Sequence, residues 1–258
     1  MIPLFHRDFG TPGRPPLTLL HGLLGSSRNW QMAGRELAAD YHACALDLRN
    51  HGRSPHPAAT GYAELAGDVL GWLDAQGIGK TTLLGHSLGG KVAMWLACHH
   101  PERVERLVVV DIAPRDYRSH AHQTEFAAMH SLRLATLRSR AEAERHFEDA
   151  GVADEAMRKF LVTNLECSDA GRWRWMINLP ALTEALPALL GDSLGATARY
   201  DGPALWIVGG RSDYVRADDA ARITGHFPGA RIERIADSGH NPHIDARAEF
   251  VRLVRGLL

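Results

Sequence analysis

A chain of 258 residues with 45% hydrophobic residues, 23% charged residues and a formal net charge of −1 has the make-up of an ordinary soluble globular protein, with room for one large α/β domain or two small ones. The near-neutral balance excludes the basic footprint of a nucleic-acid binder, and no apolar stretch reaches the ~18 residues needed to span a bilayer. Cys44, Cys98 and Cys167 are odd in number and widely spaced, which argues against a disulfide framework and against a zinc site. The opening "MIPLFHRDFG" lacks the basic and apolar regions of a signal peptide, so a cytoplasmic location is expected.

In chain order, an N-terminal strand and a tight turn at "TPGRPP" (11–16) lead into "LTLLHG" (17–22). That run is joined by "ACALDL" (43–48), "TTLLGH" (81–86), "RLVVVD" (106–111) and "ALWIVG" (204–209). These segments are rich in Val, Leu and Ile without clean alternation, the pattern of strands buried on both faces of a parallel sheet. "RIERIAD" (231–237) alternates more and reads as a strand nearer the edge. Residues 62–76 set Leu65, Val69, Trp72 and Leu73 on one helical face, and 88–99 and 245–257 read the same way. Strand and helix in alternation predict an open, mostly parallel sheet with right-handed crossovers. Residues 115–198 break this rhythm, with no convincing strand and several helical patterns. The expected organisation is therefore a core domain from 1–114 and 199–258, with 115–198 as a helical cap over the carboxyl edge of the sheet, where open α/β sheets keep their ligands.

The segment "TTLLGHSLGGKVAMWLA" carries the chemistry. Gly85-His86-Ser87-Leu88-Gly89 is a G-x-S-x-G between a predicted strand and a predicted helix, the context this motif requires. A serine on so sharp a turn has its neighbours two residues away crowded together, so they must be very small. The turn raises the hydroxyl into the cleft and aims the N-terminus of the next helix at it. Ser87 is thus the candidate nucleophile. It needs a base, and His240 in "RIADSGHNPHID" follows the last strand, where this topology supplies one. His243 is expected to face elsewhere, and His86 to serve in packing. An oxyanion hole needs two backbone N–H groups. Leu88 and, from the glycine-rich loop "HGLLG" (21–25), Leu23 are the candidates. Lys91 reads as a paired or solvated lysine. The order "LLHGLLGSSRNW", "DLRNHGRSP", "LLGHSLGGKVAM", "VVVDIAP", "RWRWMINLPAL", "GGRSDYV" and "SGHNPH" covers essentially the whole chain.

On these motifs the chain resembles the α/β-hydrolase superfamily, and within it the YbfF-like and abhydrolase esterase/thioesterase family. The resemblance implies an α/β-hydrolase fold, hydrolysis of small carboxylic esters or acyl thioesters, and no cofactor or metal. In "DLRNHGRS", Asn50 stands where many such hydrolases have the first glycine of a Gly-x-Gly, and Asn tolerates positive φ well enough to keep the turn. The acid that orients His240 has two candidates. Asp213 in "IVGGRSDYV" holds the common position, and Asp111 ends "LVVVDIA" one strand earlier. Spacing leaves both open; the resemblance favours Asp111, with Asp213 as alternate or supporting carboxylate. Trp173, Trp175 and Met176 are candidates for the acyl pocket or for fixing the cap to the core. Asn178 in "MINLP" has no role that the sequence defines. Carbon–carbon bond hydrolysis, perhydrolysis and non-catalytic ligand binding are the competing readings on this fold. Dehalogenase and epoxide hydrolase chemistry needs a carboxylate nucleophile where Ser87 stands.

Overall fold

The computed structural model describes residues 1–10, 12–117 and 122–256. A short strand β1 (His6–Asp8) precedes β2 (Pro16–Leu20), β3 (His42–Leu46), β4 (Thr81–His86) and β5 (Val104–Val110). Two three-residue strands, β6 (Leu165–Cys167) and β7 (Trp173–Trp175), form a separate hairpin, and β8 (Ala204–Gly209) and β9 (Ala230–Ile235) complete the main sheet. The helices are α1 (Gln31–Leu37), α2 (Tyr62–Ala75), α3 (Leu88–His99), α4 (Gln123–Ser131), α5 (Arg140–Asp149), α6 (Glu155–Val162), α7 (Leu179–Leu190), α8 (Asp219–His226), α9 (Pro242–Asp245) and α10 (Arg247–Arg255).

The main sheet has the order β1-β3-β2-β4-β5-β8-β9, parallel throughout except for β1 against β3. Successive residues of the central strands pack on opposite faces. Val108 and Val110 join a cluster with residues of α1 and α10, while Leu107 and Val109 join the larger cluster with α2, α3 and the 122–190 helices. Burial of both faces explains why these strands read as unbroken apolar runs. β9, the alternating segment, lies at the sheet's edge.

Strand order reverses between β2 and β4, which are neighbours although β3 lies between them in the chain. The loops leaving such a pair diverge and open a crevice. The expected strands 17–22 and 43–48 stop at Leu20 and Leu46, because the next residues turn their polar groups to the loop backbone. His21 Nδ1 lies 2.8 Å from Gly22 O, and Asp47 accepts from Ser27 N at 2.6 Å and Arg53 N at 2.8 Å.

Between β5 and β8 the chain is mainly helical, but the expectation of no strand there fails at β6 and β7. Leu165 pairs with Trp175 and Cys167 with Trp173. Strands this short leave no readable alternation in the sequence. The segment is tied to the sheet at both ends of α7. At its start, Asn178 Oδ1 accepts from Ala181 N at 3.3 Å, Asn178 Nδ2 donates to His56 O at 3.3 Å, and Asn178 N donates to Asn50 O at 3.0 Å. Asn50 itself holds φ +63°, the left-handed conformation expected of it. At the end of α7, the ammonium of Lys91 from α3 donates to Leu190 O at 3.3 Å, Gly191 O at 2.5 Å and Arg115 O at 2.9 Å. Lys91 is thus a paired lysine, only 2% exposed, and burial pushes its pKa down to about 8. The Asn178→Ala variant, which removes a helix cap and a tie to the loop after β3, is expected to lose about 1–2 kcal/mol of stability in chemical denaturation.

Candidate active site

Ser87 sits between β4 and α3 with φ +50° and ψ −117°, a conformation disfavoured for any residue with a side chain. The crowding that the motif implies is visible at its glycines. A Cβ on Gly85 would lie 2.1 Å from Gly89 O, and one on Gly89 would lie 2.5 Å from Leu20 O. Only hydrogen fits in either place. The loop after β2 runs directly against this elbow, since a Cβ on Gly22 would stand 3.2 Å from Ser87 Cβ. Its shape is set by two buried imidazoles. His51 Nε2 accepts from Leu24 N at 3.2 Å, and His21 Nε2 accepts from Leu48 N at 3.0 Å. In each ring Nδ1 faces a backbone carbonyl, at 2.8 Å, so both rings are neutral with the proton on Nδ1. Burial pushes His51 down to about 3 and lowers His21 as well.

His240 leaves the loop after β9 with Nδ1 2.8 Å from Asp111 Oδ2. Asp111 directly follows β5, with φ +49°, and is fully buried. Its other oxygen accepts from Gly209 N at 2.9 Å, and the Ser212 hydroxyl donates to Oδ2. A buried carboxylate is tolerable only when satisfied in this way. Asp213 is exposed. The loop after β8 instead reaches the imidazole through the neighbours of Asp213: Ser212 on Asp111, and Tyr214, whose ring stacks on His240 with centroids 3.7 Å apart. Tyr117 holds that loop by donating to Tyr214 O at 2.6 Å while accepting from Ala113 N at 2.9 Å.

The two other imidazoles near His240 pack and stay neutral. His86 Nε2 lies 2.8 Å from His240 O, and its ring is 4.6 Å from that of His240. Burial, then the neighbouring His240 and His243, hold His86 well below the usual imidazole range. His243 lies against Trp30 with centroids 4.3 Å apart, and burial pushes it down to about 3. His86 and His243 therefore fix the His240 loop without carrying charge at neutral pH.

Ser87, Leu23 and Leu88 line one narrow cavity, partly open to solvent. Its walls include Ile112, Leu189 and Leu190, with Tyr117, Tyr214 and His122 as polar groups. Burial lowers the pKa of His122, leaving a neutral imidazole beside the cavity. Trp173, Trp175 and Met176 are not among these walls. The tryptophans belong to the β6–β7 hairpin, where the Arg140 guanidinium sits 5.5 Å from the Trp173 ring. Met176 lines a different crevice with Arg7, Ser27 and Asp47. The cavity is instead lined by Leu189 and Leu190 at the end of α7 and by His122 before α4, while Trp173 and Trp175 pack against the main core cluster. Tyr117, His122, Leu189, Leu190 and Tyr214 were missed because each reaches the cavity from an unremarkable local pattern. The one available signal was "SDYV", in which Tyr214 adjoins a candidate acid.

A mostly parallel sheet, a strained serine at a strand-to-helix turn and a histidine–carboxylate pair at the carboxyl edge define an α/β hydrolase. The α/β-hydrolase fold family model matches residues 15–247, and the chain belongs to that family. It is similar to esterase YbfF of Escherichia coli, at 35% identity over 248 residues that cover 94% of this chain and 92% of the relative. It is also similar to the sn-1-specific diacylglycerol lipase ABHD11 of Danio rerio, at 38% identity covering 92% of this chain and 76% of the relative. Among solved structures, a marine microorganism esterase superposes with a TM-score of 0.95 at 32% identity, each chain being covered completely. No helix among the described residues is long and apolar enough to cross a membrane.

Proposed function

We propose that this α/β hydrolase is a serine hydrolase of small carboxylic esters, with acyl thioesters as a second substrate class. The observation that carries the reading is the 2.8 Å hydrogen bond between His240 and the buried Asp111, in a structure where Ser87 lines a cavity. The names of its similar proteins, esterase and diacylglycerol lipase, support an ester as substrate.

In this reading Ser87 Oγ bonds to the acyl carbon while His240 Nε2 takes its proton. The carbonyl electron pair moves onto oxygen, where the N–H groups of Leu23 and Leu88 receive it. Asp111 holds the imidazole in its productive tautomer and stabilises the imidazolium. Collapse breaks the bond to the alcohol or thiol, which leaves with the proton from His240. Water then repeats the sequence, releasing the acid and restoring Ser87. Tyr214, flat against His240, limits the ring to the plane that serves both Asp111 and Ser87. Residues 115–198 act as a cap, and Leu189 and Leu190 from it supply apolar surface for the acyl chain.

The test is a series of p-nitrophenyl acyl esters of increasing chain length, alongside acyl thioesters, together with a fluorophosphonate probe. Turnover of short esters and one phosphonyl group per chain on Ser87 are expected. Labelling that persists in the Ser87→Ala variant, or tight ester binding without turnover, would overturn the assignment.

A further inference from the structure

A second cluster of reactive side chains lies at the other end of the sheet. Asp8 on β1 is register partner to Cys44 on β3, and His42 precedes Cys44 by two residues, on the same face of that strand. The donor atoms of Asp8, His42 and Cys44 all lie within 4.8 Å of one another. His42 Nε2 is 3.1 Å from Asp8 Oδ1, and the Cys44 sulfur lies within 4.8 Å of both. Asp8 Oδ1 also accepts from Gly10 N at 2.7 Å. The three residues open onto a cleft of about 320 Å³, whose rim includes Trp72, Gln76, Arg14 and Lys80.

From this juxtaposition we infer that Asp8, His42 and Cys44 form a binding site for a divalent zinc-type ion. One carboxylate, one imidazole and one thiolate are the donor types that zinc prefers. Donors bound at about 2.0–2.3 Å around a tetrahedral ion sit roughly 3.3–3.8 Å apart. The three groups need only small rotamer adjustments to reach that spacing, since paired strands already hold their Cβ atoms in place. In the metal-free chain the His42 imidazole faces the Asp8 carboxylate, and an ion binding there would displace the thiol proton and any imidazole proton as it takes the three donors. The cleft leaves the fourth position to water or to an anion, with Arg14 at its rim.

The site joins β1 to β3 at the edge of the sheet, and His42 stands at the amino end of its strand, away from the carboxyl edge that carries Ser87. An ion there would staple the short outermost strand in place without touching the hydrolytic residues. Cysteine spacing alone pointed away from zinc, because two of the three donors are not cysteines and one comes from a different strand.

Titration with Co²⁺ in place of zinc provides the test. A thiolate-to-cobalt charge-transfer band in the near-ultraviolet is expected, together with a rise in Tm on adding Zn²⁺. Both should vanish in Cys44→Ser with Cys98 and Cys167 retained, and Zn²⁺ affinity should fall at least about tenfold in His42→Ala and in Asp8→Asn. Asp8→Asn, at a half-exposed side chain, keeps the test available if Cys44→Ser fails to fold. Ester turnover without added metal is expected to stay unchanged in all three variants. Absence of the thiolate band, or equal affinity in the variants, would assign any bound ion to other histidines and overturn the inference.

Discussion

Replacing Asp111 with asparagine is expected to lower ester turnover by about 10⁴-fold, with the folded structure retained. The carboxylate receives His240 Nδ1, Gly209 N and the Ser212 hydroxyl while wholly buried. An amide at that position presents an N–H to one of these donors. Facing His240, it selects the tautomer with the proton on Nε2, which cannot accept from Ser87. The loss should appear in kcat more than in KM, because the pair acts on charge that develops during the reaction. Asp213→Asn, at an exposed position beside the pair, is expected to stay within about twofold of the parent, as surface substitutions do. Steady-state kinetics of the two variants on one ester, with circular dichroism as a control for folding, decide the matter. A large loss in Asp213→Asn with a mild effect in Asp111→Asn would reverse the roles given to the two acids.

Ser87→Ala should cost still more, about 10⁶-fold in kcat. The strained turn is imposed by its surroundings: Gly85 and Gly89 abut backbone, Ser87 N donates to Val110 O at 3.1 Å, and Lys91 N donates to Ser87 O at 3.1 Å. An alanine therefore inherits the same backbone and lacks only the hydroxyl. Substrate binding is expected to persist, so ester should compete for the cavity with unchanged affinity in the variant. Residual turnover within about a hundredfold of the parent would point to a nucleophile other than Ser87.

The fold was legible where physics acts locally. Strands buried on both faces must be apolar throughout, so β4, β5 and β8 stand out from the chain as runs. The elbow was legible because close backbone approach restricts residue type at two fixed spacings. Asp111 and Asp213 were harder to separate, since each follows an apolar strand and the strands are neighbours. What distinguishes them is backbone direction: φ +49° at Asp111 accompanies its burial beside His240, while the next loop presents Ser212 and Tyr214. Nothing in the local pattern of either segment encodes that turn. The cavity walls were less legible again. Which face of the segment between β5 and β8 meets the sheet depends on how several helices pack together, and Trp173 and Trp175 reach the core cluster from the hairpin, away from the walls of the cavity. The buried pair of Arg49 and Asp68, 2.7 Å apart, was likewise invisible, because Asp68 lies on the otherwise apolar side of α2.

The two anchors of α7 make it a fixed beam whose last two residues reach the cavity. Asn178 secures one end to the loop after β3, and the Lys91 ammonium secures the other to α3. A beam held at both ends can bow but cannot swing. Under the proposed ester chemistry, room for a longer acyl chain would come from trimming Leu189 or Leu190 where they line the cavity, and chain-length selectivity is expected to follow side-chain size at these two adjacent positions.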